Sequence, residues 1–533
     1  MRGADLLAAT LAAAGVRRIF SLSGNQIMPV YDACIDAGID ILHTRHEAAA
    51  VFMADAWAQL TGEVGVALVT AAPGFGNALG ALYSARASES PVLLLSGDAP
   101  VALDGRGAFQ EMDQCAASAP WVKHAARPAS ADRMGEETAR ALRLAAAGRP
   151  GPVHLALPFD VLNAETGAPV PDRAACRPDR AAPAEEAVAA LRVAMDGAAR
   201  PVILAGPAMT ATRAGDLPDR LAAALGAPVL PMESPRGLGD PALGDLKGVL
   251  GQADLILALG KRVDFTLGLG KAEAFAAGAR WIVVDAETPA LEMARANLGD
   301  RLDRALEADP HALAEALSRG SPAADRAGWR DEAARRTAAR APDPGDPDGR
   351  VTPAELTAAV QRAMAAHPGA VAVCDGGEFG QWAQAGLRPA ARVINGPSGA
   401  IGGGICYAIA ARAARPGAPV FALMGDGTVG FHLAEFETAA RAGLPVVAVI
   451  GNDACWNAEH QIQLRDYGPD RLIACELSGA RYDAAVAALG GHGEYVTEAA
   501  DLDAALARAV ASGKPACVNV RIAGLPAPSG AGH

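Results

Sequence analysis

Aromatic side chains are scarce in this chain, 4% of 533 residues, although 51% of the residues are hydrophobic. Ala, Val and Leu must therefore fill its cores. No window is long and apolar enough to span a bilayer. The N-terminus carries an acid at Asp5 and leads into an amphipathic helix, which reads against a signal peptide. No Cys-x-x-Cys pair occurs among the eight cysteines, scattered from Cys34 to Cys517. Several lie in apolar runs as small buried hydrophobes do, which points to a reducing, cytoplasmic compartment. Basic excess is missing too: the net charge is −13, spread without long blocks of either sign. This excludes nucleic acid and an anionic membrane as expected partners, since both call for a basic patch.

Short apolar runs alternate with Ala-rich helical stretches, the pattern of repeated βα units and parallel sheets. The expected fold class is α/β, three successive domains, each a parallel sheet flanked by helices. The first third offers strands at 18–22, 39–44, 64–70, 91–95 and 152–157. The middle third offers 201–204, 228–230, 255–259 and 281–284, and the last 370–374, 419–424, 445–450 and 515–522. Polar, Pro-rich segments at 163–185 and 340–348 read as linkers. The expected domains are 1–165, 186–340 and 350–533. The thirds are alike in architecture without any repeat in sequence.

One pairing carries chemistry. The run Pro419-Val420-Phe421-Ala422-Leu423-Met424 closes on Gly425-Asp426-Gly427, and the run 445–450 closes on Asn452-Asp453. Each has the length and β-branched content of a strand buried on both faces. Adjacent parallel strands end side by side, so Asp426 and Asp453 could converge on one ion. Hard oxygen ligands on a tight turn suit Mg²⁺, which keeps few protein ligands. The N–H groups of Gly427 and Thr428, at the start of a helix expected near 431–442, could meet a diphosphate.

This pair resembles the thiamine-diphosphate motif of the acetolactate synthase, benzaldehyde lyase and 2-hydroxyacyl-CoA lyase superfamily. Four further stretches match in order and spacing: Thr44-Arg45-His46-Glu47, Val69 to Asn77, Phe109-Gln110-Glu111, and Asp375-Gly376-Gly377-Glu378. The resemblance runs from about Gly3 to about Ile522. It implies a pyrimidine-binding, a central and a diphosphate-binding domain, with thiamine diphosphate and Mg²⁺ as cofactors. It makes Glu47 the carboxyl that shifts the cofactor's aminopyrimidine to its imino tautomer; a helix-start carboxylate is the plainer reading of the same residue. The loop with Gly74, Phe75 and Asn77 would approach the aminopyrimidine, with Phe75 a substrate contact. Read alone, that loop departs from a dinucleotide fingerprint. Gln110 would face the reacting carbonyl. Ile401 would support the bend between the cofactor's rings, Ala400 would bind the cofactor beside it, and Gly376, Gly377 and Glu378 would border it. The backbone carbonyl of Cys455 would complete the metal's protein ligands beside Asp426 and Asp453, with Gly425, Gly427 and Thr428 on the diphosphate.

Two departures bear on the substrate. Gln26 stands where lyase members often carry a catalytic histidine; it can hydrogen-bond a carbonyl but cannot shuttle a proton. Asn457 stands where many members have Gly, in a polar segment that offers Trp456, Glu459 and His460 as substrate contacts or relays, or as a solvated helix face. In the middle third, Gly260-Lys261-Arg262 and Asp285 look like a nucleotide cradle. In the superfamily this region holds FAD, ADP or nothing. Lys261 and Arg262 would meet phosphates or stand as exposed charge.

The resemblance implies a carboligase/decarboxylase like acetolactate synthase, making or breaking a C–C bond beside a carbonyl through an acyl-carbanion intermediate. The small-molecule substrate would be a 2-oxo acid, an aldehyde or an acyl-CoA. The alternative is a 2-hydroxyacyl-CoA or benzoin-type lyase, and from another class a non-catalytic nucleotide-binding paralogue. Glu47 and the aspartate pair lie in different domains, which in the superfamily meet across two chains. A homodimer or homotetramer is therefore expected.

Overall fold

The apolar runs of the first third become β1 (Arg18–Ser21), β2 (Asp40–His43), β3 (Gly65–Val69), β4 (Val92–Asp98), β5 (Ala125–Ala126) and β6 (Val153–Pro158) in the computed structural model. The structure describes residues 1–178, 182–322 and 324–528. Residues 179–181 of the first expected linker, and the last residues of the expected third domain from 529, lie outside them. The middle third supplies β7 (Pro201–Ala205), β8 (Val229–Pro231), β9 (Leu255–Leu259), β10 (Arg280–Asp285) and β11 (Leu302–Glu307). The last third supplies β12 (Val371–Cys374), β13 (Ala391–Ile394), β14 (Val420–Gly425), β15 (Val447–Asn452), β16 (His492–Val496) and β17 (Ala516–Arg521).

These strands form three sheets flanked by helices, and every named strand pairing is parallel. The orders are β2-β1-β3-β4-β6-β5, β11-β10-β9-β7-β8 and β13-β12-β14-β15-β17-β16. The first and third sheets have the same winding although their sequences do not repeat. The strands β5, β11, β13 and β16 were not legible as apolar runs, and all four lie at sheet edges. An edge strand is paired on one side only and tolerates polar residues.

The first and third domains share one continuous core. The helix Glu47–Thr61 packs on the helix Gly404–Ala414, with the rings of Phe52 and Tyr407 5.4 Å apart and edge to face. The buried Tyr407 hydroxyl donates to Asp55 at 3.1 Å. Ala and Val dominate this interface, as the shortage of aromatics requires. All eight cysteines are unpaired. Among the described residues no helix is long and apolar enough to cross a membrane.

Candidate active site

Strands β14 and β15 are neighbours in register, Gly425 opposite Gly451. Asp426 and Asp453 therefore leave adjacent strand ends, as the two apolar runs imply. The order of the third sheet reverses between β12 and β14, and open parallel sheets offer their ligand crevice at such a point. A cavity of about 210 Å³ opens there, and Asp426, Asp453, Cys455, Trp456 and Glu459 all line it. So do Gly376, Gly377, Glu378, Ile401, Gly425, Gly427 and Thr428. Chain order hides this cluster, yet the sheet assembles it.

Asp426 is 1% exposed, and its Oδ2 has no hydrogen-bond partner. Burial pushes both carboxyls above the usual range, and the charge on Asp426 pushes Asp453 further. Two carboxyls so placed repel unless protonated or bridged by a cation. An orphaned buried carboxylate oxygen beside a second carboxyl is a donor set that fits a hard divalent cation. Gly427 has a steric reason to lack a side chain: a Cβ there would lie 2.4 Å from the Trp456 ring. The helix expected near 431–442 instead starts at once, as the turn Asp426–Val429, continues tightly through Gly430–His432, and resumes at Glu435–Arg441.

Asp375, the residue after β12, organises the facing loop. Its fully buried carboxylate accepts the N–H groups of Gly376 at 2.7 Å and of Gly402 and Gly404 at 3.0 Å. Burial pushes this carboxyl up to about 6 despite those donors. The loop so held sets Ile401 against Gly376, while the Ala400 carbonyl accepts from Asn395. Two residues of the second domain, Pro235 and Arg236, also line the cavity. Arg236 pairs with Glu378 at 3.1 Å and is the only positively charged side chain among the described lining residues. Nothing in the sequence around Arg236 marked it. Asp375 did carry a signal, an acid closing an apolar run, the same one that marks Asp426.

In the first domain, Glu47 opens its helix as expected, and is 9% exposed. Helix-end satisfaction falls to its neighbour: His46 Nδ1 accepts the Ala48 N–H at 3.1 Å. The Glu47 carboxylate instead accepts from Asn77 Nδ2 at 3.0 Å, with Gly74 beside it. Gln26 donates to Gln110 Oε1 at 2.7 Å and accepts from Thr70 Oγ1 at 2.7 Å, which links the loops after β1 and β3. Gln110 has φ 60° and Ala72 φ 42°, and Ala454, beside Asp453, has φ 59°. Left-handed backbone at non-glycine positions is costly and tends to gather at functional loops.

Three expectations need correction. Phe75 is fully buried and stacks on His154 at 4.9 Å, so its ring packs in the domain core rather than on an open loop. The helix Pro73–Ala87 begins earlier than a glycine loop would suggest and turns Phe75 inward. His460 does not line the cavity, whereas Glu459 does. Lys261 is neither exposed nor turned to a phosphate: it is 4% exposed and bonded to Asp264 and Thr266, while Arg262 pairs with Glu287 at 2.8 Å.

A crevice at the end of the third sheet with two acids, and a separate glutamate at a helix start in the first domain, define an enzyme built on two α/β domains of one winding. The profile described as "Thiamine pyrophosphate enzyme, N-terminal TPP binding domain" matches residues 1–117, and that of the C-terminal TPP binding domain matches residues 375–520. The chain is 35% identical to the acetolactate synthase large subunit IlvG of Mycobacterium tuberculosis, over 98% of this chain and 95% of that one. The probable acetolactate synthase of Mycobacterium bovis matches to the same extent. The 2-hydroxyacyl-CoA lyase 2 of Caenorhabditis elegans is 30% identical over 98% of this chain and 89% of its own. The chain belongs to the thiamine-diphosphate-dependent enzyme family.

Proposed function

We propose that this enzyme is a Mg²⁺-dependent carboligase/decarboxylase of the acetolactate-synthase kind, in which a 2-oxo acid loses CO₂ and its acyl portion passes to a second carbonyl compound. The observation that carries the reading is the buried Asp426 carboxylate, with an unpartnered oxygen, beside Asp453 in a cavity at the switch point. Asp426, Asp453 and the Cys455 carbonyl would hold the Mg²⁺, and Gly425, Gly427 and Thr428 the diphosphate. Bound thiamine diphosphate supplies a carbon nucleophile for the substrate carbonyl and a sink for the electron pair released when the C–C bond breaks.

The protein's own groups do the rest. Glu47 would hold a proton at the aminopyrimidine nitrogen, and Asn77, which donates to its carboxylate, would orient it. Gly376, Gly377 and Glu378 would border the cofactor, and Ile401, on the loop that Asp375 holds, would pack against it. Gln26 and Gln110, locked to each other and to Thr70, orient the substrate carbonyl without exchanging a proton. Trp456 and Glu459 contact the substrate from the far wall. The 35% identity to an acetolactate synthase large subunit is why a 2-oxo acid is preferred to a neutral aldehyde.

No described residue of the first domain lines the cavity around Asp426. Glu47 would therefore serve the diphosphate site of a second copy, which makes the active unit at least a homodimer. A lyase acting on a 2-hydroxyacyl-CoA is the second reading, favoured by the 30% identity to proteins of that name. Product analysis of the holoenzyme given pyruvate, benzoin and a 2-hydroxyacyl-CoA in parallel tests both. Acetolactate from pyruvate supports the first, and formyl-CoA or aldehyde release without it supports the second.

A further inference from the structure

The second sheet also reverses its order, between β7 and β9, so its nucleotide crevice lies outside those strand ends. Two features there would hold a nucleotide. The Ala208 N–H, in the turn Pro207–Met209 after β7, could take a phosphate, and Asp285, ending β10, could take a ribose. Both are already engaged, and by side chains of the first domain. The Glu89 carboxylate accepts the Ala208 N–H at 3.3 Å. It lies so close over Gly206 that a Cβ there would be 3.2 Å from both its oxygens. Arg149, 7% exposed, donates to Glu89 and to Asp285 and stands 3.6 Å from Glu287. Half-buried Arg213 closes a further side, donating to the Ser88 and Glu89 carbonyls.

The charges here balance internally. Burial opposes the charge on Arg149, yet the surrounding carboxylates more than restore it, so the guanidinium stays protonated. The space left is about 240 Å³.

We infer that Glu89 and Arg149 fill the central crevice themselves, a carboxylate standing where a phosphate would bind and a guanidinium capping the acid that would take a ribose. The enzyme accordingly binds neither FAD nor ADP in its central domain. The same pair clamps the first domain to the second, a task that a nucleotide in this crevice would otherwise share. The inference rests on the fold and this cluster, whatever the reaction at the Asp426 cavity.

The test uses the purified holoenzyme from riboflavin-replete cells, kept in thiamine diphosphate and Mg²⁺. Acid extracts are chromatographed for flavin, adenine nucleotide and thiamine diphosphate, and the protein is titrated with FAD and with ADP by calorimetry and thermal melting. The expected result is thiamine diphosphate near one per chain, no flavin or adenine nucleotide, and no heat or change in Tm with either ligand. Stoichiometric flavin or ADP, or a saturable rise in Tm with either, would overturn it. Arg149→Met should lower Tm by leaving Glu89 and Asp285 unpaired, and adding Glu89→Gln should recover part of the loss. Equal Tm in the parent and Arg149→Met would refute the clamp. If neither variant folds, the titrations of the parent protein still decide. Missing thiamine diphosphate would count against the proposed reaction and leave the nucleotide result standing.

Discussion

Replacing Glu47 by Gln removes an acid while keeping nearly every atom in place. In the structure the Glu47 carboxylate makes one side-chain hydrogen bond, from Asn77 at 3.0 Å, and lies against Gly74. A glutamine carbonyl accepts the same bond, so the cost to the fold should stay below about 1 kcal/mol. Binding of thiamine diphosphate, measured by calorimetry, should change little, because the diphosphate end is held elsewhere. What is lost is a proton that can move. Acid–base groups contribute roughly 10²- to 10⁴-fold, so turnover should fall by that factor, about 3–5 kcal/mol of barrier. Proton–deuterium exchange at the cofactor's reactive carbon should fall in parallel. The exchange assay separates activation from substrate binding, because a lost substrate contact lowers turnover without touching exchange. Asn77→Ala keeps the acid but frees its orientation and should cost only about tenfold, near the worth of one hydrogen bond. Exchange as fast in Glu47→Gln as in the parent would refute the assignment and leave Glu47 a helix-start residue.

Asp426→Ala should leave a soluble, folded protein with no measurable thiamine diphosphate affinity by calorimetry; unchanged affinity would remove Asp426 from the metal site. Asp453→Asn should stay active but need more Mg²⁺ for half-saturation, since it removes one of two carboxyls whose repulsion a cation relieves, and a lower requirement would contradict the pair's role. Light scattering should give a dimer or tetramer, whereas a stable monomer with full turnover would refute a site shared between chains. His154, buried between Ser96 and Ser118 and stacked on Phe75, is pushed down to about 3 by burial. Its unfolded form takes a proton below about 6.5, so its stabilisation is full above that pH and is lost as pH falls toward 3. The slope is about 1.4 kcal/mol per unit. His154→Gln should flatten the decline of Tm over that window, and an unchanged slope would show that His154 is not the acid-sensitive group.

Most of the fold could be read because parallel strands are buried on both faces and leave continuous apolar runs in the sequence. The strand Leu255–Leu259 has all five residues buried and was placed to the residue. At the sheet edges that signal fails for a physical reason. The run Leu302–Glu307 carries Asp, Arg and Glu on a strand hydrogen-bonded from one side, and Ala125–Ala126 is too short to show a pattern. The helix after Asp426 was misplaced because a turn that starts directly at a strand end needs no capping signal of its own.

The site divides along the same line between local and distant causes. Asp426 and Asp453 were legible because each closes its own apolar run and the sheet does the joining. Arg236 was not, since its meaning depends on Glu378, 142 positions away. Arg149 was not either, because its partners lie 60 and 136 positions away in two domains. Phe75 failed in the opposite direction: glycines beside an aromatic suggest an open loop, but the ring answers to His154, which the neighbouring sequence does not mention. For Glu47 the sequence left two explanations of one carboxylate, and the geometry weighs between them through a neighbour. His46, not Glu47, accepts the Ala48 N–H at the helix start. A nearly buried carboxylate steered by a single amide supports the proton-holding role proposed for Glu47.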